Sequence, residues 1–171
     1  VALGCQAFAQ TISGSVLVRS TWEDGDSVMN PPGDGDTNGN VVVGCWSADS
    51  TIEGVPLDSD TVYSGPMPPP FGASYGYNIA GPLTEGAYLV IGWVDADGNG
   101  AYDLGEPRSA QKGAAIGGTN AVSGVNMTIV DDLDEDKLPD WWEAHWFRNA
   151  SDPLASGTTA DPDNDGLDNA T

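Results

Sequence analysis

One stretch organises this chain: Asp95-Ala96-Asp97-Gly98-Asn99-Gly100-Ala101-Tyr102-Asp103-Leu104-Gly105-Glu106. Counted as a twelve-residue loop, it carries oxygen-bearing side chains at its first, third, fifth, ninth and twelfth positions, which are Asp95, Asp97, Asn99, Asp103 and Glu106. Glycine stands at the sixth position, where the chain must turn sharply, and alanine at the seventh, where a backbone carbonyl is enough. This spacing directs alternate oxygen atoms toward a common centre.

A hard cation suits such a centre. Calcium takes roughly 6–8 oxygen ligands at about 2.4 Å, so the chain must wrap around the ion. The ligand order is that of an EF-hand loop. Asp, Asn and Gly are also ordinary turn residues, so a solvated turn is the alternative. We expect a calcium site formed by Asp95, Asp97, Asn99, Ala101, Asp103 and Glu106.

The flanks of this loop are not those of two helices. The preceding run, Ala87-Tyr88-Leu89-Val90-Ile91-Gly92-Trp93-Val94, is β-branched and aromatic and predicts a buried strand. Pro107 follows the loop. The pattern G-x-Y-x-V-x-x-W-x-D-x-D-x-N-G-x-x-D-x-G-E-P resembles the carboxypeptidase-regulatory-like and SD-repeat B-type modules of secreted bacterial surface proteins. The resemblance covers residues 11–131 and implies a secreted β-sandwich domain.

Charge narrows the classes of partner. The 171 residues include 26 Asp and Glu against 5 Lys and Arg, a formal net charge of −21. Nucleic acids and anionic membranes carry the same sign of charge, so neither is an expected partner. No apolar run approaches the roughly 18 residues that span a bilayer. An acidic excess can indicate disorder, but six Trp and five Tyr favour a packed fold.

Short apolar segments separated by Gly and Pro predict the fold class. We expect strands within residues 11–20, 41–48, 61–63, 74–80, 87–94, 114–116 and 121–130. The run Pro66-Met67-Pro68-Pro69-Pro70 cannot join a central sheet and predicts an extended loop. The expected fold is mainly β: an antiparallel β-sandwich with EF-hand-like calcium loops and a short C-terminal helix.

The sequence divides into three regions. We expect an N-terminal extended segment at residues 1–10, the β-sandwich domain at 11–130 and a calcium-loop appendage at 131–171. The first segment also fits the remnant of a secretory signal, with Ala7-Phe8-Ala9 as a cleavage site. Both interpretations place the protein outside the cell. In an oxidising compartment we expect a disulfide between Cys5 and Cys45, with two free thiols as the alternative.

A second acidic loop follows the last predicted strand. Its expected ligands fall on the same loop positions: Asp132, Asp134, Asp136, Leu138, Asp140 and Glu143. Lys137 stands where glycine is expected, and a positive φ at lysine costs about 1–2 kcal/mol. We therefore expect a calcium site of reduced affinity here.

A third loop opens with Asp161, Asp163, Asp165, Leu167 and Asn169, and its twelfth position would fall after Thr171. The segments D-x-D-x-D-x-L-P-D-W-W-E and D-P-D-x-D-G-L resemble the thrombospondin-type-3 and dockerin-like calcium repeats of large secreted bacterial proteins. This resemblance covers residues 131–171 and implies calcium-ordered linkers.

The tryptophans suggest an alternative function. Residues 141–148 predict a short helix with Trp142 and Trp146 on one face. Three of the six tryptophans lie there, and the others are Trp22, Trp46 and Trp93. Exposed rings would favour an accessory or carbohydrate-binding module of a larger secreted hydrolase, whereas buried rings would favour a core. His145 is the only histidine, so zinc has no obvious ligand set.

No catalytic motif of the types G-x-S-x-G, H-E-x-x-H or a phosphate loop is present in the sequence. Carboxylates at calcium spacings are held ionised, the opposite of a catalytic acid with a raised pKa. We expect a non-catalytic extracellular structural protein of a cell surface or filament. Its expected partners are copies of itself in a homopolymer, or other surface proteins. An N-terminal segment could add a strand to a neighbour's sheet, and that neighbour's oxygen could complete the loop at Asp161.

Overall fold

The computed structural model describes residues 10–20, 39–66, 69–81, 83–118, 121–133, 135 and 140. These residues form eight β-strands, so the prediction of a mainly β fold is confirmed. The strands are β1 (Ile12–Val18), β2 (Asn40–Ser47), β3 (Asp58–Tyr63), β4 (Ser74–Ile79), β5 (Gly86–Asp95), β6 (Arg108–Ser109), β7 (Lys112–Ile116) and β8 (Met127–Val130).

Each predicted strand has a counterpart, although some boundaries differ. β3 begins at Asp58, earlier than expected. The sequence does not reveal this start, because the first residues of the strand are polar and show no apolar alternation. The last strand is shorter than expected, because Gly124 has a φ of 76° and interrupts the extended backbone before Met127. β6 is not predicted by the sequence, since two residues are too few to show a period. The described residues of the proline-rich loop contain no strand, as expected.

All eight strands belong to a single sheet with the order β3-β2-β5-β6-β8-β1-β4, and β7 also pairs with β5. Neighbouring strands are antiparallel except β1 and β8, which run parallel with Val16 opposite Met127. A purely antiparallel arrangement is therefore wrong at this pair. Parallel strands need a long connection, and the connection from β1 to β8 contains all the other strands. No local sequence pattern reveals such a distant pairing.

The end strands β3 and β4 contact each other, so the sheet is nearly closed on itself. No backbone ladder joins these two strands in the described part of the chain. Instead, Asp58 Oδ2 accepts a hydrogen bond from the Gly81 N–H at 2.7 Å. Asp60 Oδ2 accepts one from the Asn78 N–H at 2.8 Å. Two carboxylates of β3 therefore close the sheet against β4 and the residues that follow it.

Strands β2 and β5 are buried on both faces. Alternate side chains of a strand point to opposite faces of the sheet. Val43 and Val90 belong to the main hydrophobic core, whereas Val42 and Ile91 belong to a second cluster on the opposite face. Double-sided burial explains why residues 87–94 are continuously apolar instead of alternating.

The second cluster consists of Val42, Trp46, Ile52, Ile91, Trp93 and Tyr102, with Leu89 packed against it. The Trp93 ring centroid lies 5.7 Å from that of Trp46 and 6.4 Å from that of Tyr102. Tyr102 belongs to the acidic loop, which is residues 95–106. Its backbone exchanges hydrogen bonds of 2.8 and 3.1 Å with Gly54. The acidic loop therefore folds back over this face of the sheet, which couples its geometry to core packing.

Cys45 is a buried free thiol. The expected disulfide between Cys5 and Cys45 is therefore not formed in this structure, and Cys5 lies outside the described residues. Cys45 belongs to the main core, where apolar side chains surround it. Burial raises the pKa of this thiol to about 11.

The expectations for both ends of the chain fall outside the described residues. These are the N-terminal extended segment at residues 1–10, of which Gln10 alone is described, and the helix at 141–148. Among the described residues, no helix has the length and apolar character that a bilayer crossing requires.

Candidate metal centre

The acidic loop brings three carboxylates together at the end of β5. Asp95 is the last residue of that strand and is 3 % exposed, and Glu106 is 7 % exposed. Asp97 lies on the exposed side of the loop. Carboxylate oxygens of these three residues lie within 4.8 Å of one another. The cluster could hold a metal ion, and its donors are all hard oxygen atoms.

Glycines with positive φ give the loop its tight turns. Gly98 and Gly100 have φ angles of 76° and 75°. This left-handed region costs a residue that carries a Cβ about 1–2 kcal/mol. The sharp turn expected at Gly100 is confirmed. Its N–H donates to Asp95 Oδ2 at 3.2 Å, so the turn directs an amide at the first carboxylate of the loop.

The middle of the loop is wound by side-chain hydrogen bonds to the backbone. Asp97 Oδ1 accepts from the Asn99 N–H at 2.9 Å, and Asn99 Oδ1 accepts from the Ala101 N–H at 2.6 Å. Both are turns of the type that Asp and Asn favour. The Asn99 amide nitrogen donates to Asp97 Oδ2 at 2.8 Å and to Asp103 Oδ2 at 2.6 Å. Asp103 therefore joins the other carboxylates through this amide.

Glu106 closes the loop from its twelfth position. Its Oε1 accepts from the Ala96 N–H at 2.8 Å and its Oε2 from the Asp103 N–H at 3.0 Å. Burial raises the pKa of Glu106 to about 9, opposed by these two hydrogen bonds and reinforced by the charges of Asp95 and Asp103. A bound cation would favour the ionised form and reverse this shift.

Asp95 supplies the observation that points most directly to a ligand. Its Oδ1 is buried and has no hydrogen-bond partner among the residues that the structure describes. An unsatisfied buried polar atom costs about 1–3 kcal/mol, and more when it is charged. Burial raises the pKa of Asp95, and the nearby charge of Asp97 adds to the shift. A cation among the three carboxylates would satisfy this oxygen.

The Ala101 carbonyl is hydrogen-bonded to a core residue. The carbonyl oxygen accepts a hydrogen bond from the Trp93 indole N–H at 3.0 Å. A carbonyl has two lone pairs, so this bond leaves one of them for the cation that the sequence predicts at this position.

The second acidic loop is described at two of its predicted ligands, Asp132 and Asp140. Asp140 is 3 % exposed, and its Oδ1 accepts from the Leu133 N–H at 2.9 Å. Its own N–H donates to the Asp131 carbonyl at 2.8 Å. Asp140 therefore folds back onto the chain that leaves β8.

The remaining predicted ligands lie outside the described residues. In the second loop these are Asp134, Asp136, Leu138 and Glu143, and in the third loop Asp161, Asp163, Asp165, Leu167 and Asn169. Both loops stay predictions.

The two described tryptophans are core residues. Trp46 is 4 % exposed and Trp93 is fully buried, so neither ring offers a surface on which a sugar could stack. The other candidates for sugar stacking, Trp22, Trp141, Trp142 and Trp146, lie outside the described residues. Among the described tryptophans, therefore, nothing favours the alternative of a carbohydrate-binding module.

Comparisons with protein-family models, with curated proteins and with solved structures found no match. The geometry of the loop therefore carries the functional argument.

Three residues that support the loop are not identified by the sequence: Trp93, Gly54 and Arg108. Trp93 bonds to Ala101, Gly54 pairs with Tyr102, and Arg108 lies against the Tyr102 ring. Each of these contacts depends on the tertiary fold. The only local signal is that Trp93 and Arg108 flank the loop closely on either side.

Proposed function

We propose that this chain is a non-catalytic, extracellular calcium-binding structural protein, in which an ion held by the loop 95–106 stabilises the nearly closed sheet. The observation that carries the proposal is the buried, unsatisfied Oδ1 of Asp95 beside the carboxylates of Asp97 and Glu106. The oxygens of these three carboxylates lie within 4.8 Å of one another, so ionised carboxylates there repel one another without a counter-ion. A divalent cation removes the repulsion and supplies the missing partner.

The donor chemistry favours calcium over other metals. Carboxylates and carbonyls suit hard cations such as calcium and magnesium, whereas zinc and copper sites usually contain imidazole or thiolate. The cluster contains three carboxylates and neither His nor Cys. Calcium tolerates irregular cages of about 6–8 oxygens, whereas magnesium sheds its water reluctantly and demands octahedral geometry. A loop that offers several protein oxygens therefore fits calcium better.

A structural role follows from what the loop touches. Its first ligand, Asp95, ends the central strand β5. Tyr102 packs in the second cluster and pairs with Gly54 in the connection between β2 and β3. Binding of an ion that orders this loop therefore contributes directly to the free energy of folding.

The proposed surface or filament role concerns how copies of this chain assemble. With a net charge of −21, copies of this chain repel one another, and divalent cations would reduce that repulsion. The proposed partners are copies of the same chain or other surface proteins. If the N-terminal segment joins a neighbour's sheet, deletion of residues 1–10 gives folded, calcium-binding monomers that no longer polymerise. Polymers formed by the deletion variant would contradict this route of assembly.

The test of the calcium site is thermal unfolding of the full chain in calcium and in chelator. At a calcium concentration of about 100 times Kd, a single site adds about 2.7 kcal/mol of stability. For a chain of this size that raises the Tm by roughly 5–10 °C. Magnesium in place of calcium should restore little.

Two matched variants assign the effect to the loop. Asp97→Ala removes an exposed carboxylate of the cluster and should lose most of the loop's share of the calcium-dependent rise in Tm. Asp49→Ala removes an exposed carboxylate from the turn after β2 and should keep it. An unchanged melting curve in excess chelator would show that calcium does not stabilise the fold.

A further inference from the structure

Trp93 connects the acidic loop to the hydrophobic core. Its side chain is fully buried, and its indole N–H donates to the Ala101 carbonyl at 3.0 Å. Ala101 occupies the seventh position of the loop, where the ligand is a backbone carbonyl. The indole bond fixes the direction of that carbonyl and leaves its second lone pair available.

The position of the carbonyl is held on both sides. Trp93 is fixed in β5, where it stands opposite Val42 of β2 and Arg108 of β6. The residue after Ala101 is Tyr102, whose backbone pairs with Gly54 and whose ring packs against Trp93. A shift of the Ala101 carbonyl would therefore strain the indole hydrogen bond or displace buried side chains. Such shifts are costly because protein interiors are close-packed.

We propose that Trp93 is a specificity-determining residue of the calcium site, because its indole hydrogen bond limits how far the Ala101 carbonyl can shift to follow a smaller ion. Calcium–oxygen distances are about 2.3–2.6 Å, whereas magnesium requires about 2.0–2.1 Å in a near-octahedral shell. A cage must contract by several tenths of an ångström to bind the smaller ion, and a carbonyl held by the core does not follow. The inference rests on the calcium site proposed above.

The chain offers a matched control in Trp46. Its ring belongs to the same cluster as Trp93 and is 4 % exposed. Its indole nitrogen, however, has no hydrogen-bond partner within the described part of the chain. Trp93→Phe and Trp46→Phe therefore create similar losses of packing, but only Trp93→Phe removes a hydrogen bond to the acidic loop.

The experiment measures calcium binding and magnesium competition calorimetrically on the full chain. The binding heat that disappears in Asp97→Ala identifies the loop's own site. Trp93→Phe should lower the ratio of the magnesium Kd to the calcium Kd by about tenfold, the scale of one lost hydrogen bond. Trp46→Phe should leave the ratio unchanged, although both variants melt at lower temperature.

The failures of the two proposals are distinguishable. A wild-type ratio in folded Trp93→Phe would overturn the role of Trp93 while the calcium site stands. No Asp97-dependent calcium heat in the wild-type chain would overturn both. If Trp93→Phe does not fold, the wild-type protein supplies the test by NMR: the Trp93 indole N–H should exchange with solvent more slowly in calcium than in saturating magnesium. Equal exchange in both ions would overturn the inference.

Discussion

The guanidinium group of Arg108 lies over the ring of Tyr102, 5.7 Å from the ring centroid. Arg108 is 8 % exposed and stands in β6, opposite Trp93 of β5 and Val130 of β8. Since β5 and β8 both run antiparallel to β6, they leave the sheet at the same end. Burial raises the pKa of Tyr102 to about 12, opposed by Arg108 and reinforced by the charges of Asp140 and Glu106. Arg108 is therefore a buried cation between the acidic loop and the chain that follows β8.

The first prediction concerns the charge of Arg108. Arg108→Met keeps an apolar stem but removes the cation–π contact with Tyr102, which is worth about 1–2 kcal/mol when desolvated. In chelator, the substitution also removes a positive charge near carboxylates that have no bound cation. The variant should therefore lose more stability in chelator than in calcium. Urea unfolding in both conditions measures the difference. Lys112→Met removes an exposed cation from β7 and should change stability by less than about 0.5 kcal/mol. An equal loss for Arg108→Met in calcium and chelator would contradict this account.

The geometry of the acidic loop could be predicted from the sequence because its carboxylates are close together along the chain. Spacing alone places Asp95 and Glu106 at the two ends of one loop, and Gly100 at its turn. The strands could be predicted for a similar reason, since burial on both faces leaves a continuous apolar run in β5. Both signals are local, and local backbone geometry converts them directly into structure.

The supports of the loop could not be predicted in this way. The bonds from Trp93 to Ala101 and from Gly54 to Tyr102 depend on how the loop folds back over the sheet. The closure of the sheet depends on Asp58, which bonds to a residue more than twenty positions away. Asp58 and its neighbours resemble ordinary surface residues in the sequence, and only the tertiary fold gives them partners.

The second prediction concerns close packing at Gly14 of β1. A Cβ at this position would lie 2.6 Å from the carbonyl carbon of Val125, and the backbones of Ser13 and Val125 are hydrogen-bonded beside it. Gly14→Ala must therefore move backbone and should cost about 1–3 kcal/mol in urea unfolding. Gly113→Ala in β7 meets no atom within 4 Å and should be neutral or slightly stabilising. Equal stability of the two variants would contradict the packing argument.

The third prediction concerns the closure between β3 and β4. Asp60→Ala frees the Asn78 N–H, so hydrogen exchange at Asn78 should accelerate while exchange at Gly81 stays slow. Asp58→Ala should produce the reverse pattern. Each variant loses about 1 kcal/mol, the net worth of one hydrogen bond. Acceleration at both amides in both variants would mean that the sheet closes by another interaction.

The fourth prediction concerns the thiol of Cys45. Its pKa is raised to about 11 by burial, and the thiolate is the reactive form. In a Cys5→Ser variant, Cys45 should therefore resist alkylation at about pH 8, where an exposed thiol with a pKa of about 8.5 reacts readily. Unfolding in urea should restore the reaction. Rapid alkylation of the folded variant would contradict the burial of this thiol.

The last prediction concerns the pH dependence of the calcium-free protein. Burial raises the pKa of Glu106 from 4.5 to about 9, so the folded state binds this proton more tightly than the unfolded state. Its contribution to the free energy of unfolding is then complete below about pH 4.5 and declines as the pH rises through about 9.

Bound calcium should reverse this dependence, because an ion held by Glu106 requires the ionised carboxylate. Urea unfolding from about pH 5 to about pH 9 should show declining stability in chelator and no such decline in saturating calcium. Glu106→Gln cannot titrate and should flatten the decline in chelator, whereas Glu85→Gln, at an exposed position, should leave it unchanged. If the decline persists in Glu106→Gln, another group is responsible, and the closing carboxylate of the loop is not what couples protons to folding.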